Sequence, residues 1–192
     1  MPMNITFELS DKDLKYFKRI IKEVRERSSG IEEAQLIAGV RKLIEDIRHA
    51  HAAGFVVQRL ESLERMVRML EDKEWDMEGK DRSRVADGLV YFAEGEDLIP
   101  DRIPGLGYLD DAIMIELVVQ DLKHEIEAYD DFCKYRKSKE KLLGRKDAMA
   151  SREKWLTARR GQLHSRMRRR RRRDRGGRSS RGGASRAPVK LF

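Results

Sequence analysis

A single cysteine, four prolines and 7% aromatic residues in 192 positions leave little of the material that several protein classes require. Cys133 has no partner for an internal disulfide, which excludes a disulfide-stapled secreted scaffold and a Cys-rich zinc module and points to a reducing cytoplasm. No apolar run approaches the roughly 20 residues of a membrane-spanning helix, and the mean hydropathy is −0.71. Met1 to Asp13 carries no positive segment followed by an apolar core, so no signal peptide is expected. Period-two alternation and hairpin turn signals are also missing, which argues against strands.

Charge is plentiful, at 40% of residues, and unevenly placed. Residues 1–133 hold 19 Lys+Arg and 30 Asp+Glu, a net of −11, whereas residues 134–192 hold 23 and 4, a net of +19. Such asymmetry is the mark of an interaction tail, because like charges repel one another until a counter-charged partner neutralises them. Three segments follow: an acidic helical body over 1–133, a charged helical extension over 134–164, and an Arg/Gly-rich tail over 165–192. The tail holds six consecutive arginines, Arg168 to Arg173, and two Arg-Gly-Gly steps. Its composition offers no apolar burial to offset the entropy of ordering, so the sequence predicts disorder there.

The body reads as all-α, with about five helices. Ser10 and Asp13 form a capping box before Leu14, Phe17, Ile21 and Val24, which recur at helical spacing until Ser28-Ser29-Gly30. Ile37, Val40, Ile44 and Ile47 predict a second helix that stops at Gly54. Val56, Leu60, Leu63, Val67 and Leu70 predict a third, and Val85, Leu89 and Phe92 a fourth. A last one begins at Asp110-Asp111 and carries Ile115, Val119, Leu122, Ile126, Tyr129 and Cys133 along one stripe. About 130 residues suffice for one core.

Between the last two helices stand Glu96-Asp97-Leu98-Ile99-Pro100-Asp101 and Pro104-Gly105-Leu106-Gly107-Tyr108-Leu109-Asp110-Asp111. This pattern resembles the YkvA-like family, a bacterial domain of unknown function, over roughly residues 85–122. The resemblance implies a compact helical hairpin with a Pro/Gly-containing link and no established enzymatic activity; some members are thought to be membrane-associated. Here Glu116 interrupts the apolar run and Asp121, Lys123 and His124 follow it, so insertion into a bilayer is not expected. The motif residues Asp97, Pro100, Asp101, Pro104, Gly107, Tyr108, Asp110 and Asp111 also have a plain structural reading. The prolines hold Ile99 and Ile103 out of helical geometry, the glycines permit a tight link, and Asp110 or Asp111 caps the next helix. The alternative makes Glu96, Asp97, Asp101, Asp110 and Asp111 a divalent-cation or acid/base site. Their spacing does not match an EF-hand loop, and no metal or cofactor is expected.

Enzymatic signatures are missing. His49 and His51 are two apart on a helix and face different ways; Glu45 and His49 read as a surface pair. His124-Glu125 lacks the second histidine of a zinc-protease helix, and there is neither a phosphate loop nor a nucleophile elbow. Cys133 sits on an apolar stripe and reads as a small buried hydrophobe. The chain is therefore expected to be no enzyme.

The tail arginines Arg166, Arg168, Arg169, Arg170, Arg171, Arg172, Arg173, Arg175, Arg178, Arg181 and Arg186 are candidate polyanion contacts, since guanidinium grips phosphate through paired donors. Nonspecific nucleic-acid binding, favouring RNA or single strands, is the first expectation, although residues 165–191 hold no aromatic for base stacking. The alternatives are an anionic membrane surface, with Ala112 to Val119 as a second contact, or a protein-interaction scaffold with a solubilising tail. A tail that pairs with the acidic body is the blandest reading. A cytoplasmic protein, peripheral at the inner membrane in the lipid alternative, fits all of these.

Overall fold

The computed structural model describes residues 9–28, 30–50, 52–94, 99, 103 and 107–180, with the side chains of 142–151 and 177–180 outside the description. Among the described residues the chain is all-α: α1 (Asp11–Arg27), α2 (Glu33–His49), α3 (Gly54–Glu71), α4 (Gly79–Glu94), α5 (Leu109–Asp121) and α6 (Lys123–Ser180). These residues gather into two compact units, one drawn from within 1–64 and 86–121, the other from within 65–85 and 122–184. The partition cuts across α3 and α4 and differs from the sequential division at residues 133 and 164.

The first unit follows its apolar spacing. Ser10 caps α1 as expected: its hydroxyl accepts the Asp13 N–H at 3.3 Å, and the Asp13 carboxylate accepts the Ser10 N–H at 2.9 Å. Ile21 and Val24 of α1, Val40 and Ile47 of α2, and Leu60 and Leu63 of α3 are buried, together with Leu89 and Phe92 of α4. The Arg25 guanidinium donates to the Asp87 carbonyl at 2.8 Å. α2 and α4 pack tightly at Gly39, where an added Cβ would stand 2.9 Å from the Ala93 backbone. α5 is apolar nearly all round, and Ala112 to Ile115 with Leu117 and Val118 are buried.

Gly54 opens α3 instead of ending α2, which stops at His49. There the His49 ring N–H donates to the Glu45 carbonyl at 2.8 Å, satisfying a carbonyl of the last turn. The single last helix expected from Asp110 onward is two helices. Its stripe is continuous, but Leu122 leaves helical pairing and its carbonyl accepts the Ile126 N–H at 3.0 Å as α6 begins. At that residue the chain passes from the first unit to the second.

In the second unit, Trp75 is fully buried, with Tyr129, Phe132 and His164 around it at ring separations of 5.7, 5.2 and 4.3 Å. Asp72 holds the turn after α3. It accepts the backbone N–H groups of Glu74 and Trp75 at 3.0 and 3.2 Å and the Tyr129 hydroxyl at 3.1 Å. Burial opposes the charge on Asp72, but the Arg136 guanidinium and these donors outweigh it and hold the carboxyl below its ordinary value. Cys133 is half-buried, and burial raises its thiol pKa. Among the described residues no helix is long and apolar enough to cross a membrane.

Candidate functional site

The tail segment is where structure and sequence part most sharply. The disorder expected over 165–192 does not extend to its first part: the remainder, 181–192, lies outside the described residues, whereas residues 165–180 continue α6 as helix. The reason lies in what they touch. Leu163 and Met167 are buried. Arg166 pairs with Asp131, Arg170 with Glu127 at 2.8 Å, and Arg171 with Glu125 at 2.5 Å. These partners are 35 to 46 residues apart. In an unbroken helix rising about 1.5 Å per residue they would stand roughly 50–70 Å apart. α6 therefore doubles back on itself, and the partner numbers fall as the arginine numbers rise, so the two arms are antiparallel. The reversal lies between Glu140 and Arg152, which are themselves joined at 2.5 Å, and the sequence between them contains Gly144.

Eight arginines lie between residues 166 and 175, and the helix sorts them by face. With about 3.6 residues per turn, Leu163, His164, Met167, Arg168 and Arg171 share the inward side. Arg168 meets Asp81 at 3.0 Å, and Arg171 meets Asp81 at 2.7 Å as well as Glu125. Both carboxylates are deeply buried, the Glu125 side chain being 0% exposed and that of Asp81 8%. Arg84 supplies Glu125 with a second guanidinium at 3.1 Å. Burial works against the charge on Asp81, but the two arginines prevail and keep its carboxyl below the usual range. His164, edge-on to Trp75, has its pKa lowered by burial and then by Arg168.

Near the end of the described arm, Asp174 accepts from Lys123 at 3.0 Å and from the His124 ring at 2.9 Å. The Lys123 bond first, and the His124 bond second, hold its carboxyl down at about 2. His124 and Glu125, which form no zinc-protease motif, thus both serve to seat the returning arm.

Arg169, Arg172 and Arg173 lie on the opposite face. They and Arg175 are exposed and form no ion pair among the described residues. Of the remaining candidates, Arg178 lies in α6 with its side chain outside the description, and Arg181 and Arg186 lie outside the described residues. Eight clustered cations thus become four that are engaged and four that are available.

At the base of the hairpin, Arg136 bonds Asp72 and Glu74, Arg152 bonds Glu74, and Arg160 bonds Asp76 at 3.2 Å. A cavity of about 510 Å³ opens beside Glu74, Asp76, Arg152 and Arg160. Its guanidiniums are already occupied by these acids, and Lys73 is the further cation in its lining.

The other candidate, the motif of aspartates, prolines and glycines, is described only in part. Asp97, Pro100, Asp101 and Pro104, together with Glu96, lie outside the described residues. Asp110 and Asp111 begin α5 and are buried. Asp110 accepts the Ile99 N–H at 3.2 Å and the Tyr91 hydroxyl at 3.5 Å, so it ties the preceding link to the helix start. The left-handed backbone needed there falls on Tyr108, at φ 63°, and not on Gly107. No group of three or more His, Cys, Asp or Glu among the described residues is placed to hold a metal ion.

Sequence reasoning missed the counter-charges Asp81, Glu125, Glu127, Asp131 and Asp174. A signal existed in the acid-rich stretch from Asp121 to Asp131, whose spacing mirrors the arginine run in antiparallel register. It is visible only once the reversal is known.

Residues 85–117 match a protein family described as a protein of unknown function, DUF1232, the family the motif resembled. The match covers α4 from Val85, the link, and α5 as far as Leu117. No curated protein and no solved structure matches the chain.

Proposed function

We propose that this chain is a non-enzymatic helical module whose returning α6 arm binds the phosphates of nucleic acid without sequence preference. Arg169, Arg172, Arg173 and Arg175 are the contacts on the described helix, and Arg178, Arg181 and Arg186 follow them in the sequence. The observation that carries the reading is the sorting of arginines: one set is spent on carboxylates of the chain, while Arg169, Arg172 and Arg173 on the opposite face, and Arg175 beyond them, are exposed with no counter-charge among the described residues. An array of guanidiniums on one side of a helix releases condensed counterions when it meets a polyanion. With no aromatic between residues 165 and 191, base stacking has no platform, so binding is phosphate-directed and tolerant of sequence. RNA and single strands remain the favoured targets, as the abundant polyanions that an exposed arginine row meets. The lipid alternative loses the apolar second contact assigned to Ala112–Val119, because Ala112 to Ile115, Leu117 and Val118 are buried in the first unit.

The test uses the full chain and a mixed-sequence single-stranded RNA followed by fluorescence anisotropy. The variant R169Q/R172Q/R173Q is expected to bind at least tenfold more weakly than the unsubstituted chain at low salt, with the salt slope reduced by about 2. Unchanged affinity overturns the proposal.

A further inference from the structure

We infer that Asp131 and Glu127 act as internal competitors for the phosphate site, holding Arg166 and Arg170 in reserve. The inference rests on the reading above, and concerns how that site is regulated. The engaged arginines are of two kinds. Arg168, itself half exposed, and Arg171 meet carboxylates that are shut away from water, Asp81 and Glu125, which would stay buried and uncompensated if the pairs opened. Arg166 and Arg170 meet carboxylates at the surface: Asp131 is 39% exposed and Glu127 is 52% exposed. Exposed pairs contribute little and are exchanged readily, because both ions remain hydrated when the pair opens. A phosphate chain approaching the outer row brings several negative charges to within a helix turn of Arg166 and Arg170. It can take these two guanidiniums from single surface carboxylates.

Arg170 directly follows Arg169 in sequence, and Arg166 stands three residues before Arg169 and so is its neighbour on the helix surface. Releasing them widens the contact row without unfolding the arm, since Leu163, Met167, Arg168 and Arg171 keep it seated. The acids thus weaken binding to weak or sparse polyanions more than binding to dense ones. The arm is graded: four arginines are open, two are releasable and two are fixed.

The experiment compares the full-length chain with D131N/E127Q, each single variant, and a charge-matched control, D46N/E61Q, which neutralises two exposed carboxylates of the other unit. The probe is a mixed-sequence single-stranded RNA, titrated from 50 to 200 mM salt. Removing the two competitors is expected to raise affinity at 50 mM salt by about fivefold beyond the control, because the RNA no longer has to displace two exposed pairs. Each single variant is expected to give a smaller part of that gain. Tryptophan fluorescence and circular dichroism melts on the same samples verify that the arm remains folded. An affinity no higher than that of the control overturns the inference, while the loss of binding in R169Q/R172Q/R173Q would still uphold the parent reading. If that triple variant binds undiminished, the parent reading fails, and this one with it.

Discussion

Replacing Arg171 by alanine removes a guanidinium that bridges two buried carboxylates, 2.5 Å from Glu125 and 2.7 Å from Asp81. Breaking a buried pair by deleting one partner costs about 3–5 kcal/mol, because the remaining charge stays out of water without compensation. Here each acid retains one cation, Arg84 at 3.1 Å from Glu125 and Arg168 at 3.0 Å from Asp81. The expected cost is therefore at the lower end, about 3 kcal/mol, equivalent to a fall of about 6–12 °C in Tm for a chain of this size. Arg172, the next residue, is exposed and unpaired among the described residues, so R172A is expected to change stability by less than about 0.5 kcal/mol. The two variants remove the same charge one residue apart, which isolates the face of the helix as the variable. The chain has two tryptophans, Trp75 and Trp155, and both belong to the second unit, so urea or thermal unfolding followed by tryptophan fluorescence reports on that unit. Equal shifts for R171A and R172A, or no shift for R171A, would refute the docking of the arm on buried acids. In RNA binding the order reverses, R172A being the weaker binder at a temperature where both are folded.

Two further outcomes are expected. Gly39→Ala should destabilise the first unit by about 1–3 kcal/mol, since its Cβ would stand 2.9 Å from the Ala93 backbone and α2 and α4 must separate to admit it; a far-UV circular dichroism melt measures this. The second concerns acid. Asp72, Asp81 and Asp174 all have carboxyl pKa values held below the ordinary 3.8, so their contribution to stability is fully present above that pH and is lost as pH falls through the folded values, near 2 for Asp174. Tryptophan-monitored stability of the second unit should accordingly decline between about pH 4 and pH 2, and a rise on acidification would contradict it.

The parts of this fold that were legible in the sequence are those governed by neighbours in the chain. The Ser10 to Asp13 capping box and the apolar stripes of α1, α2, α3 and α4 require only local spacing. Asp110, read as a cap of the next helix, stands inside α5 and accepts from Ile99 and Tyr91, groups outside its own helix, so that tie was not legible from local spacing. What escaped was set by residues distant in sequence. Nothing in the stripe from Ile115 to Cys133 marks Leu122 as a boundary, since its apolar side chain is buried whichever helix it belongs to. The entropy argument placed the start of the disordered tail at 165, short of the helix end at Ser180, because it counted only the residues of the tail. It omitted Asp81, Glu125 and Asp131, which supply from elsewhere in the chain the counter-charge that the arginines need to pack as helix. The reversal of α6 was hidden for the same reason: residues 134–163 are mostly helix formers, Gly144 alone does not mark a break, and composition does not record direction.

The doubling back of α6 can be measured directly. Spin labels at Lys134 and Gln162, both exposed, would report the separation of the two arms in the full chain with Cys133 replaced by serine. Antiparallel arms packed about 8–10 Å apart place the labels within about 25 Å of each other. A helix that runs on without reversal would hold them about 42 Å apart, and a distance distribution centred there would contradict the account.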